Sequence, residues 1–240
     1  MPIDILLTVV AISIIQSIFG VGTLLFGTPI LLLLGYDFIN TLEILLPVSI
    51  AISVLQIIRH HEEIDLPFYR NLLIYSIPLV VVFLVVITMI RLNISALVGG
   101  LLIFVALKSF LPFIEKLLTS IVRYEKLYLM LMGIIHGISN LGGSLLTVII
   151  YAKSYSKNKL RVTSAVSYAT LALFQLVTLL IVGVDSTISY SDRASFVQIG
   201  IILFLLTEEI IYSQIDNEKY SKLFAIFLFI SGILLIIKSL

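Results

Sequence analysis

The chain has 240 residues, of which 60% are hydrophobic and 12% charged, with a net charge of +1 and a mean hydropathy of +1.19. Soluble domains carry about 25% charged residues, so a soluble globular fold is excluded and an all-α integral membrane protein is indicated. Cations sit at the edges of apolar runs rather than on a basic face, which argues against a nucleic-acid partner, and the absence of cysteine removes disulfides, thiolate metal sites and cysteine nucleophiles.

The start, "MPIDILLTVV", has Asp4 and no Lys or Arg ahead of its apolar run. It does not resemble a cleaved secretory signal and reads as the first membrane segment. The apolar region 3–34 is too long for one span and is interrupted at "FGVGT", Phe19 to Thr23, leaving a short piece, Leu24–Leu34. Runs near 41–58, 71–90 and 93–112 follow. Each suits a span, which needs about 20 residues. A second long region, 127–152, is interrupted at "SNLGGS", Ser139 to Ser144, leaving Leu145–Ala152, and is followed by runs near 161–182, 194–212 and 221–238. At about 1.5 Å rise per residue the pieces after the breaks reach roughly halfway across a bilayer. No linker or soluble module interrupts the pattern, so residues 1–240 form a single membrane domain.

A shift of 120 residues lays Ile14, Ile15, Ile18, Gly22 and Leu25 on Ile134, Ile135, Ile138, Gly142 and Leu145, with the later spans in the same order. The expected architecture is two repeats, about 1–120 and about 121–240, each a broken or re-entrant hairpin followed by three transmembrane helices, as in many secondary transporters. A hairpin begins and ends on one side, so each half makes an odd net number of crossings and the second half is inverted. Loops 59–70, 108–126, 153–161 and 213–222 then share one face. They hold Arg59, Arg70, Lys108, Lys116, Arg123, Lys126, Lys153, Lys157, Lys159, Arg161, Lys219 and Lys222, and leave only Arg91, Arg193 and Lys238 for the other. The positive-inside rule makes that face cytoplasmic and both termini external in a multi-pass cell-membrane protein.

A non-helical break survives at membrane depth only where protein or a water-filled cavity covers it. Two inverted hairpins should bring their glycine tips together near the midplane and aim two helix N-termini, with free N–H groups, at one place, which is an anion site. Glycine suits such breaks because positive φ costs it nothing. The substrate-binding candidates are therefore Gly20, Gly22 and Thr23 in the first break and Asn140, Gly142, Gly143 and Ser144 in the second. The alternatives are helix packing for the glycines and ordinary capping for Thr23, Asn140 and Ser144. Gly99, Gly100 and Gly232 read as packing residues.

The stretches "GVGTLLFGTPILLLLGYD" and "GISNLGGSLLTVIIYAKSYSKNKLRVTSA" resemble the two halves of the sulfite exporter TauE/SafE family of membrane permeases: the glycine-rich breaks, the short helix with Pro29, and Arg161 and Thr163 opening the next helix all match. The resemblance covers essentially the whole chain and implies transport of sulfite, sulfonates such as taurine and sulfoacetate, or related organosulfur anions.

Gln16 and His136 occupy matched positions ahead of the breaks. Polar groups there are costly and tend to be functional; the histidine suits a coupling proton, against the alternative of a hydrogen bond to a neighbouring helix. Ser49, Ser53 and Gln56, and Ser164, Ser167, Gln175 and Thr178, form polar stripes that suit a pathway, although Ser and Thr also bond back to their own helix. Arg161 either snorkels to headgroups or gathers anions. Glu43, near an outer end, could take a proton or cation. His60 and His61 with Glu62, Glu63 and Asp65 read as a solvated loop, and no metal site is expected.

The expected function is a secondary transporter working by alternating access, with a small anion, the lipid bilayer and a coupling proton or cation as partners and no cofactor. An intramembrane enzyme is the second reading; the sequence has no H-E-x-x-H pair or intramembrane acid pair, and a Ser–His dyad would rest on His136. A non-transporting membrane subunit, with glycines that only pack helices, is the third.

Overall fold

The computed structural model describes residues 2–19, 22–90, 94–107, 111, 113, 120–153, 155–184, 188–211 and 217–239, with residues 18–19, 209–211 and 217–224 as backbone only. The first arm, α1 (Ile3–Phe19), turns at the break into α2 (Thr23–Leu34). Gly35 ends α2 in the left-handed region at φ 105, where its N–H returns to the last turn. Lys238 Nζ caps the same end through Leu32 O at 3.0 Å and Leu33 O at 2.8 Å, a favourable place for a cation at a helix C-terminus. Asp37 then accepts from Asn40 N at 2.9 Å and starts α3 (Phe38–His60).

Asp65, after a short 3₁₀ turn at His61–Glu63, caps α4 (Leu66–Tyr75) by accepting from Phe68 N at 3.1 Å. The single span expected at 71–90 is two stacked pieces, α4 and α5 (Ile77–Ile90), joined at Ser76. Pro78, two residues on, has no N–H to give and crowds the preceding turn. The expected 93–112 span is described as helix over α6 (Ser95–Leu107). The second half repeats the order: arms α7 (Glu125–Ser139) and α8 (Gly142–Ala152), then α9 (Lys157–Val182), α10 (Tyr190–Ile211) and α11 (Asn217–Ser239). Phe38–Glu63, Leu66–Ile90 and Lys157–Val182 are each long and apolar enough to cross a membrane. The other apolar helices are shorter, and α10 holds Asp192, Arg193 and Glu208. The described residues contain no strand.

α1 lies on α10, and α7 lies on α5 and α4; α3 packs on α10, and α9 on α5. α3 also packs on α9, and α6 on α11. Small residues set the closest approaches. A β-carbon added to Gly133 would come 2.6 Å from Ser76 O, and one on Gly137 would come 2.7 Å from Val80 O, so α7 presses its glycine face on the α4–α5 joint. A β-carbon added to Gly99 or to Gly232 would come 2.7 Å from the other's carbonyl oxygen, in keeping with their reading as packing residues, whereas one on Gly100 would meet open space. Leu180, Ile181 and Met89, all highly exposed, point outward as lipid-facing residues would.

At one end of the bundle Asp4 accepts from Tyr36 OH at 2.8 Å, close to where Lys238 caps α2. At the other, loops from the two halves are clasped. The Tyr155 hydroxyl donates to Asp65 Oδ2, Asp65 N donates to Thr163 Oγ1 at 3.2 Å, and Ser156 and Asn158 both donate to Glu63 at 3.2 Å. Glu125 joins the clasp through Lys153 and Asn71, each at 2.6 Å. His60 and His61 are in this region, and His61 is exposed with its ring beside Ile58 O; the described residues offer no metal-holding cluster. Burial works against the charge of Asp65, but the Tyr155 hydroxyl, the Phe68 N–H and then Lys153 and Lys159 outweigh it and hold the carboxyl below its usual range.

A depressed carboxyl contributes stability above its unfolded pKa of about 3.9, and that contribution is lost as pH falls through the folded value. Asp65→Asn should therefore lower the melting temperature by about 2–4 °C at neutral pH and flatten the acid limb of the stability profile below about pH 4. Melting curves of the detergent-solubilised protein between about pH 3 and pH 7 check it. An Asp65→Asn acid limb that superimposes on the wild type would show that the clasp does not depend on this charge.

Candidate functional site

The two breaks are held open in different ways. Gly22, ahead of α2, has φ 156 and ψ −32, which L side chains rarely adopt, and a β-carbon there would come 3.0 Å from Ile15 Cγ2. Thr23 follows, and its N–H donates to Gln16 Oε1 at 2.8 Å while its hydroxyl donates to the same oxygen. Gln16 is thus a cap supplied from the preceding arm to a helix start that lacks one of its own. Gly20 lies outside the described residues.

In the second break the left-handed residue is Asn140 and not Gly142: Asn140 has φ 60, and its N–H returns to His136 O at 2.8 Å. Asn tolerates this region better than other side-chain-bearing residues do. Gly142 opens α8 with no positive φ, and its missing β-carbon has a steric cause: one would sit 2.5 Å from His136 Cβ and 2.9 Å from Met132 O. Gly143 makes room for the Tyr168 ring, whose Cε1 would be 2.5 Å from an added β-carbon. Ser144 turns its hydroxyl to Leu141 O at 2.7 Å, a local bond within the first turn. Tyr128, on α7, donates to Leu145 O at 2.7 Å and fastens the two arms of this hairpin.

The hairpins touch. Asn140 Nδ2 donates to Thr28 Oγ1, five residues inside α2, at 2.9 Å. The tip of the second hairpin therefore lies beside the middle of α2, so the arms overlap side by side where the sequence had suggested glycine tips end to end. Asn140 is 1% exposed and its Oδ1 has no hydrogen-bond partner among the described residues. Beside it His136, fully buried, has Nε2 3.1 Å from Gln175 Oε1 on α9. That contact makes Nε2 the proton-bearing nitrogen and leaves Nδ1 of His136 and the Gln175 amide nitrogen without partners among the described residues. Gln56, Ser49, Ser53 and Ser164 are buried on the packed pair α3 and α9, while Ser167 and Thr178 donate to carbonyls four residues back, as in ordinary helix back-bonding.

A family model for Sulfite exporter TauE/SafE matches residues 5–235. The chain belongs to this family. No curated protein and no solved structure matches it. Membership makes it a membrane permease of a family that exports sulfur anions, and the apolar helices fit that setting.

Three residues escaped the sequence reading of this TauE/SafE chain. Thr28 and Tyr168 lack any local signal, because their importance comes from neighbours 112 and 25 positions away. Glu208 had one: an acid within the apolar run 194–212. Its Oε1 is 2.6 Å from Arg161 Nη2 and its Oε2 is 2.7 Å from Arg59 Nη1. Arg161 is accordingly buried within the bundle and does not snorkel. Glu43, near the opposite end of α3, faces Arg193 at 3.6 Å.

Asn140→Gly keeps the left-handed turn and removes only the amide, whereas Asn140→Ala adds about 1–2 kcal/mol of backbone strain. Asn140→Gly should leave the melting temperature within a few degrees of the wild type and lower anion flux by about tenfold, because the Asn140 Nδ2–Thr28 bond that sets the cradle is lost. Flux in reconstituted vesicles alongside melting curves checks this, and wild-type flux in Asn140→Gly would assign the amide to hairpin packing alone.

Proposed function

We propose that the chain is a secondary permease for a small sulfur oxyanion, sulfite or an organic sulfonate, and that the anion binds where the two hairpins overlap. The observation that carries this reading is the Asn140–Thr28 contact: it joins the buried turn before α8 to the middle of α2, with the Gln175 amide N–H₂, a donor without a partner among the described residues, close to that turn. Helix N-termini, amides and hydroxyls are donors suited to an oxyanion. Gly22, Thr23, Asn140, Gly142, Gly143 and Ser144 frame the cradle, and Gln16, His136, Gln56 and Gln175 surround it. The Gly142 and Gly143 roles are to let His136 and Tyr168 approach, so their share in binding is through backbone position. His136 is the candidate for a coupling proton. Gly22, Thr23, Asn140 and Gly142 to Ser144, the described candidate residues of the two breaks, are buried, as befits an occluded state of an alternating-access cycle.

The recurring packing supports an inverted duplication, since α1 on α10 matches α7 on α5, α3 on α10 matches α9 on α5, and the pairs α3–α9 and α6–α11 cross between halves. The cation distribution supports a cytoplasmic clasp and external termini. The reading of a cofactor-free transporter and not an enzyme rests on family membership and on the chemistry of the cradle, which joins amides, hydroxyls and one histidine.

Vesicles containing the purified protein should take up or release labelled sulfite, sulfoacetate or taurine above the rate of empty vesicles, with competition among them. Absence of flux for every sulfur anion tested in both directions would overturn the proposal.

Orientation is tested separately. Cysteines placed at Lys157 and at Asp37, in the two matched loops, should react with an impermeant reagent from opposite sides of the membrane. Equal labelling of both from outside would refute the inverted duplication.

A further inference from the structure

The end of α1, the start of α9 and the end of α10 converge on one ionic cluster. Arg161 Nη2 sits 2.6 Å from Glu208 Oε1 and 3.5 Å from Ser17 O. Thr207, beside Glu208, lies 2.6 Å from Ser17 Oγ. Arg59, on α3, approaches the other Glu208 oxygen at 2.7 Å. The side chains of Glu208 and Arg161 are 4% and 8% exposed, while that of Arg59 is 48% exposed. The cluster thus runs from the solvated end of α3 to Ser17, whose neighbour Gln16 caps the start of α2. Two guanidiniums share one carboxylate, one of them exposed and the other buried.

A guanidinium reads a two-oxygen edge, and carboxylate, sulfonate and sulfite all present one. A buried guanidinium stripped of its anion is strongly disfavoured, so Arg161 needs another partner whenever the Glu208 carboxylate is withdrawn from it. We propose that Glu208 is a tethered stand-in for the transported oxyanion: it occupies Arg161 and Arg59 while the path is closed and yields them to a sulfonate or sulfite passing between the cradle and solvent. The inference rests on the permease reading and adds the site at which the anion exchanges with the protein's own carboxylate.

The test measures how sulfoacetate raises the melting temperature of the purified full-length protein, since a ligand of the folded state stabilises it by mass action. Removing the competing carboxylate with Glu208→Gln should lower the half-stabilising concentration by roughly fivefold or more, and Arg161→Gln should abolish that gain in the double variant. Glu208→Asp keeps the charge but draws the carboxylate back, and should lower the concentration by about twofold; it carries the test if Glu208→Gln does not fold. An unchanged or raised half-stabilising concentration in these variants, with the wild type responding and transporting, overturns the stand-in role and leaves the permease reading intact. A wild type that neither transports nor is stabilised by sulfite, sulfoacetate or taurine removes both. A gain that persists without Arg161 also overturns the exchange.

Discussion

The structure depends on one constraint: a polypeptide interrupted inside an apolar bundle exposes backbone donors and acceptors that lipid cannot satisfy. An unmet buried group of this kind costs about 1–3 kcal/mol, so each break must bring its own partners. At the first, Gln16 reaches forward seven residues to the Thr23 N–H. At the second, the left-handed turn at Asn140 sends its N–H back to His136 O and releases the side chain to bind Thr28. The surrounding helices can close over these turns only because their contact faces are made of small residues such as Gly133 and Gly137.

The two halves answer the same constraint with different chemistry at matched positions. Gln16 uses its side chain as a cap; His136 turns its ring to Gln175 and lends its β-carbon as the wall against which Gly142 packs. The two hairpins thus have unlike surroundings. At the first, Gln16 meets the Thr23 donors; at the second, the Asn140 Oδ1 acceptor and the Gln175 amide donor have no partner among the described residues.

Features encoded by local composition were legible in the sequence: the apolar runs, the two interruptions, and the glycines at each break, which follow from the lengths of apolar stretches and a residue without a side chain. The halves of the 71–90 span were blurred, because a joint at Ser76 followed by Pro78 disturbs the helix without breaking its hydrophobic pattern. Composition picked out the residues of the two breaks, but not the contacts they make. Glycine at 142 was expected to supply an unusual backbone angle; it supplies space, and Asn140 supplies the angle. The partners that give Asn140, Gly143 and Arg161 their roles, namely Thr28, Tyr168 and Glu208, are joined to them by tertiary distance, which no spacing rule in a single sequence encodes.

The mutual approach of Gly99 and Gly232 bears on how such a protein moves. Where two helices meet carbonyl to missing β-carbon, rotating either about its own axis drives Ile103 or Ile236 into the partner's main chain. Sliding along the axis does the same within a fraction of a turn. The α6–α11 pair is in this sense keyed together as one unit.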